Sequence, residues 1–185
     1  MTTLADALGP ILETDRLILR PPEERDLEPM CALMGDEETT RFIGGVQSPP
    51  MVWRALCGIV GHWAMRGYGF FVVEDKASGE WLGRVGPWYP HGWPQPEIGW
   101  TITRAHWGKG YAVEAAARCM DWVFDDLGWS DVIHLIDVKN VASASVAKKL
   151  GSYNWNKPVE VAGFGMMADQ WGQTRAEWLA RQSSA

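Results

Sequence analysis

The chain has 185 residues, 46% of them hydrophobic and 22% charged, with a formal net charge of −6. This is the composition of an ordinary globular protein; it excludes a disordered chain, and no apolar run approaches the ~20 residues of a membrane helix. No Lys/Arg stripe supplies a nucleic-acid footprint, Cys31, Cys57 and Cys119 form no CxxC pair, and His62, His91, His106 and His134 lack ligand spacing, so neither a disulfide framework nor a bound metal is expected.

Residues 1–10 carry Asp6 and neither Lys nor Arg, which does not read as a signal peptide, so a cytoplasmic location and no membrane partner are expected. A first strand is predicted over 17–20 and is stopped by Pro21-Pro22. Asp26 caps a predicted helix that runs to Gly35. A second helix is predicted over 50–65, with Val52, Leu56, Ile59, Val60 and Trp63 on one face. Residues 69–75 and 81–86 read as a hairpin turning at Ser78-Gly79. The stretch 87–96 is a loop rich in Pro, Gly and Trp. Its Trp88, Tyr89 and Trp93 either fill core or line a substrate pocket.

Residues 97–103 form a predicted strand with Gly99 inside it, a mark of a bulge or a close backbone approach. A helix follows over 111–127, its apolar face made by Val113, Ala116, Ala117, Met120, Val123 and Phe124, and Gly128 ends it. Residues 132–138 read as a buried strand. Asn140 caps a helix running to Leu150, with Gly151 behind it. Strand-like pieces occupy 153–170, and 175–181 reads as a terminal helix. This order predicts a mixed α/β (α+β) fold whose sheet is antiparallel first and changes character at the central strand–helix unit.

The most informative stretch is Trp107-Gly108-Lys109-Gly110-Tyr111-Ala112, between a strand and a helix. Two glycines and an alanine clear side chains from a helix N-terminus, whose unpaired N–H groups and dipole suit a pyrophosphate. Lys109 adds a cation. A plain tight turn is the other reading. A Walker loop is excluded by pattern. A Rossmann fingerprint is disfavoured because Val113 stands where a third small residue belongs and only 73 residues follow Ala112.

The stretch 107–112 resembles the coenzyme A loop of the GNAT acetyltransferases, Arg/Gln-x-x-Gly-x-Gly/Ala, with Trp107 in first position as in the RimJ/RimL-like branch. Thr14-Asp15-Arg16-Leu17-Ile18-Leu19-Arg20, Glu97-Ile98-Gly99-Trp100, Tyr111-Ala112-Val113-Glu114-Ala115, Asn140-x-x-Ser143 and Arg175-x-Glu177-Trp178 resemble further segments of that branch, in order. The resemblance implies one acetyltransferase domain over 1–185, with its core over about 11–180. It implies a strongly twisted mixed sheet flanked by helices, its fourth and fifth strands splayed around acetyl-CoA.

On that reading the backbone of Trp100, Thr101 and Ile102 pairs with the pantetheine arm. Residues Trp107, Gly108, Lys109, Gly110, Tyr111 and Ala112 hold the pyrophosphate, and Asn140 and Ser143 meet the arm. Glu97 is the implied general base, with His91, His106 and His134 as alternatives, and Ser143 the implied proton donor. Many GNAT enzymes place a tyrosine seven residues after the Asn, where this chain has Ala147. Glu114 is expected to be structural.

The implied activity is acetyl transfer from acetyl-CoA to a primary amine, a small molecule or a protein N-terminus, in a ternary complex. A non-catalytic acyl-CoA sensor is the alternative; a nucleotide-binding oxidoreductase is a third. A homodimer is left open.

Overall fold

The computed structural model describes residues 7–161 and 165–183. Residues 162–164, within the predicted strand-like stretch, lie outside the described residues, as do residues 1–6.

Eight strands form one sheet: β1 (Leu12–Glu13), β2 (Leu17–Arg20), β3 (Phe71–Asp75), β4 (Trp81–Trp88), β5 (Glu97–Ile102), β6 (Asp131–Ile136), β7 (Tyr153–Val161) and β8 (Met166–Thr174). Their spatial order is β1-β2-β3-β4-β5-β6-β8-β7. The first five pair antiparallel with their sequence neighbours. Between β5 and β6 the chain crosses over through a helix, and that pair is parallel. The predicted change of character therefore falls at the central strand.

The α-helices lying wholly within the described residues are α1 (Leu27–Gly35), α2 (Glu37–Thr40), α3 (Pro49–Arg66), α4 (Tyr111–Asp125), α5 (Val141–Leu150) and α6 (Arg175–Gln182). Alternation along β2 and β3 drives Leu17, Leu19, Phe71 and Val73 into the core. There they join Ala115, Ala116, Cys119, Met120 and Val123 of α4, which packs over β4 and β5. Small residues on that face of α4 let the helix lie close to the sheet.

Three local readings differ from expectation. β4 extends to Trp88, so Pro87 is in a strand, opposite Ile98, rather than in the loop. Asp26 stands at the N-cap of α1 without capping it: its carboxylate accepts from Arg20 Nη1 (2.8 Å), Arg20 Nη2 (2.7 Å) and the Glu23 N–H (2.7 Å). A buried guanidinium outcompetes a helix N–H for a carboxylate. The remaining strand-like stretch resolves into β7 and β8, with β8 inserted between β6 and β7.

Candidate active site

The parallel pair β5–β6 is matched at one position, Glu97 opposite Ile133, and then opens. Two side chains satisfy the backbone where the ladder stops. Glu97 Oε1 accepts from the Leu135 N–H at 3.0 Å, and His134 Nδ1 meets the Ile98 carbonyl at 2.7 Å. These two contacts satisfy the Leu135 N–H and the Ile98 carbonyl where the ladder stops. His134 Nε2 meets Ser152 Oγ at 2.9 Å, and burial pulls this histidine's pKa down to about 4. With both ring nitrogens occupied, it props the fork.

Glu97 is 8% exposed. Its Oε2 accepts from Trp93 Nε1 at 2.6 Å. Burial pushes its pKa up to about 7, against the pull of the Leu135 and Trp93 hydrogen bonds. The carboxyl therefore changes charge near neutrality.

Strand alternation decides which backbone groups face the fork. Ile133 N–H donates to Pro96 O at 2.9 Å, and Thr103 N–H donates to Leu82 O on β4 at 2.8 Å. By the period of two, the amides of Ile98, Trp100 and Ile102 face β6, while that of Thr101 faces Arg84 on β4. The Ile102 carbonyl is taken by Trp107 Nε1 at 2.7 Å.

Beyond β5 the chain enters α4 through Gly108 (φ 75°) and Gly110 (φ 85°), both left-handed. The first intrahelical bond of α4 is Glu114 N–H to Gly110 O, so the N–H groups of Tyr111, Ala112 and Val113 have no helical acceptor. Glu114 anchors the loop from behind. It accepts from Arg16 Nε (2.7 Å), Arg16 N–H (3.1 Å) and Thr14 Oγ1 (2.5 Å), and Arg16 Nη1 donates to Lys109 O at 3.1 Å. These contacts draw its pKa down despite partial burial.

Two cavities open on the fork. One, of about 380 Å³, is lined by Trp107, Gly108, Gly110, Tyr111, Ala112 and Val113 among others. The other, of about 420 Å³, is lined by Phe70, Trp88, Trp93, Glu97 and Ile59 among others. They share Phe42, Ile43, Trp100, Thr101, Asn140 and Ser143. Asn140 Oδ1 caps α5 by accepting the Ser143 N–H at 3.1 Å, and Trp100 Nε1 donates to Ser143 Oγ at 3.3 Å.

A loop-to-helix anion cradle opening into a strand fork is what the sequence resemblance implies, and comparison with known proteins decides the family. The acetyltransferase (GNAT) domain family matches residues 16–152. The chain belongs to the GNAT acetyltransferase family. The uncharacterized protein YkkB of Bacillus subtilis (strain 168) is 35% identical over 164 residues, covering 81% of this chain and 92% of YkkB. The uncharacterized N-acetyltransferase YoaA of the same organism is 31% identical over 150 residues, 77% of this chain and 82% of YoaA. The crystal structure of an acetyltransferase from Agrobacterium tumefaciens str. C58 superposes with a TM-score of 0.78 at 27% identity, covering 89% and 94% of the two chains.

As a GNAT acetyltransferase the chain uses acetyl-CoA. The cradle fits that donor: a pyrophosphate needs clustered free N–H groups and no side chains in the way, and the start of α4 offers both. Of the sequence-predicted residues, Trp88 and Trp93 line the aromatic cavity, but Tyr89 is not among its lining residues. Its ring lies by Arg66, 5.8 Å from the guanidinium, and its N–H points to His62 Nε2 at 3.4 Å, just past the end of β4. Thr101 lines both cavities, yet the strand turns its amide toward β4, away from the fork. Lys109 is exposed and outside both linings, tied in through its carbonyl.

His106 meets Thr103 Oγ1 at 2.8 Å and Glu80 at 3.3 Å, and His91 is exposed outside both linings. Phe42 and Ile43 lie in the stretch 35–68, which with 87–96 is expected from sequence to wall the acceptor side, but neither was singled out, and Arg84 was passed over. An apolar Phe-Ile pair before Gly44-Gly45, in an otherwise polar stretch, was the available signal for the first two. Among the described residues there is no cluster of metal-ligating side chains, and no helix long and apolar enough to cross a membrane.

Proposed function

We propose that the enzyme acetylates a primary amine by direct attack in a ternary complex, with Glu97 as general base and Ser143 as proton donor. The observation that carries this is the junction of the two cavities. Asn140, Ser143 and Trp100 line both, and Glu97 lines only the aromatic one. The donor enters from the α4 side, held by the N–H groups over 108–112, by the fork-facing amides of Trp100 and Ile102, and by the Asn140 amide. Acetyl-CoA supplies the activated acyl carbon. The acceptor enters from the aromatic side.

An amine must be neutral to attack. Glu97, titrating near 7 in a dry site, is suited to take its proton, directly or through water. As the C–N bond forms and the C–S bond breaks, the departing sulfur takes up a proton. The Ser143 hydroxyl, polarised by the indole N–H of Trp100, stands where both compartments meet and supplies it. Ala147, buried at the position where many relatives carry tyrosine, cannot share that task.

The acceptor is a small amine or a protein N-terminus in the cytoplasm. The whole chain acts as one domain, since β7 and β8, beyond the matched family region, complete the same sheet. Steady-state thiol release tests the assignment. Glu97→Gln and Ser143→Ala are each expected to lower kcat by roughly 100-fold, the usual scale of one proton-transfer group, with CoA affinity retained. Two variants with wild-type kcat would overturn both roles.

A further inference from the structure

The aromatic cavity contains a charge that proton transfer does not use. Arg84, on β4, lines the same cavity as Glu97, and its Nε is buried without a hydrogen-bond partner. Among the described residues no carboxylate pairs with it, whereas the buried Arg20 is held by Asp26 at 2.7 Å and Glu74 at 2.6 Å. Burial draws the Arg84 pKa down to about 10, which leaves it a cation at neutral pH.

Its one neighbour of note is aromatic. The guanidinium lies 4.8 Å from the Phe70 ring, Phe70 lies 5.2 Å from Trp88, and Trp88 stacks on His62 at 4.4 Å. A ring beneath a guanidinium occupies its face and fixes its plane, but leaves the in-plane N–H donors free. A half-buried cation whose Nε–H is buried and unpaired is a natural place for a ligand acceptor.

The strand register places this cation relative to the base. Arg84 is opposite Thr101, Gly86 opposite Gly99, and Trp88 opposite Glu97. Arg84 and Glu97 therefore share one face of the sheet, separated by about 13 Å of strand. The glycine pair between them contributes no side chain, and the Phe70 ring lies over that gap, 3.0 Å from where a Gly99 Cβ would stand.

We propose that Arg84 binds the acceptor's own carboxylate, so that the substrate is a small amino acid-like zwitterion with an apolar body against Phe70, Trp88 and Trp93. This rests on the acetyl-transfer reading above. The planar fork of a guanidinium matches a carboxylate with two parallel hydrogen bonds. Close to Arg84 the same cation repels a second ammonium, so a polyamine would have to place its further charge toward Glu97 or Asp137, which line the same cavity.

Matched amines test this by thiol release from acetyl-CoA: phenylalanine against phenethylamine, 4-aminobutyrate against butylamine, and spermidine as a polycation. For at least one pair the carboxylate-bearing member is expected to be favoured by more than tenfold in kcat/KM. Arg84→Gln is expected to bring that ratio close to one, mainly through KM, and Arg84→Lys to restore part of it. CoA calorimetry checks the fold of both variants, and Arg84→Lys carries the comparison if Arg84→Gln does not fold. Equal use of both members of every pair, best turnover of spermidine, or a ratio indifferent to Arg84→Gln would overturn the proposal while leaving acetyl transfer intact. Failure of the wild type to bind CoA, or to acetylate any amine, would overturn both.

Discussion

Glu97 occupies the single matched position between β5 and β6, and its carboxylate serves two ends there. It accepts the Leu135 N–H that the opening ladder releases, and it faces the aromatic cavity as a carboxyl group titrating near 7. The active form of a base is the deprotonated one. Activity is therefore expected to be full above pH 8 and to fall as pH drops through about 7, with slope one in log kcat/KM. A pH profile of thiol release, on an amine whose own titration is known, checks this; a profile flat from pH 6 to 8 would contradict it. At this scale, motif residues were legible because their spacing carries the chemistry: Asn140 caps α5 with Ser143 three residues on, where both face the cavities. Arg84 was not legible. One arginine in a strand carries no motif, and its significance comes from having no carboxylate partner among the described residues, which only the folded arrangement reveals.

The entrance to α4 works as an element because three features coincide: left-handed glycines, unpaired N–H groups, and the Glu114–Arg16–Lys109 tether behind them. A side chain at Gly110 forces an L-residue into φ 85° and meets Arg16 Nη2 at 3.4 Å. Left-handed backbone costs about 1–2 kcal/mol, so Gly110→Ala is expected to weaken CoA binding about tenfold. Calorimetry measures this, and unchanged affinity would argue against the cradle. The long elements, α3, α4 and α5, were readable from apolar periodicity and glycine ends to within two residues. The two-residue β1 and the four-residue α2 were not, because so short a segment shows no period and is set by what it packs against. Tyr89 fell out of the predicted pocket for a related reason: the strand expected to end at 86 runs on to Trp88, and Tyr89 follows it outside the cavity lining.

At the scale of the molecule, one parallel crossover divides the sheet into an antiparallel half that carries the aromatic wall and a second half that carries the fork's far side. The class and the switch at the central strand followed from element order. The insertion of β8 between β6 and β7 did not, since it depends on pairing between distant segments. On the proposed reading donor and acceptor occupy two cavities that meet at Trp100, Asn140 and Ser143, which requires both substrates to be present for transfer. The most direct measurement is the initial rate of free-thiol release from acetyl-CoA with and without carboxylate-bearing amines. The expected result is release that saturates in both substrates, accompanied by the N-acetylated amine; calorimetric CoA binding with no amine-dependent release would contradict it.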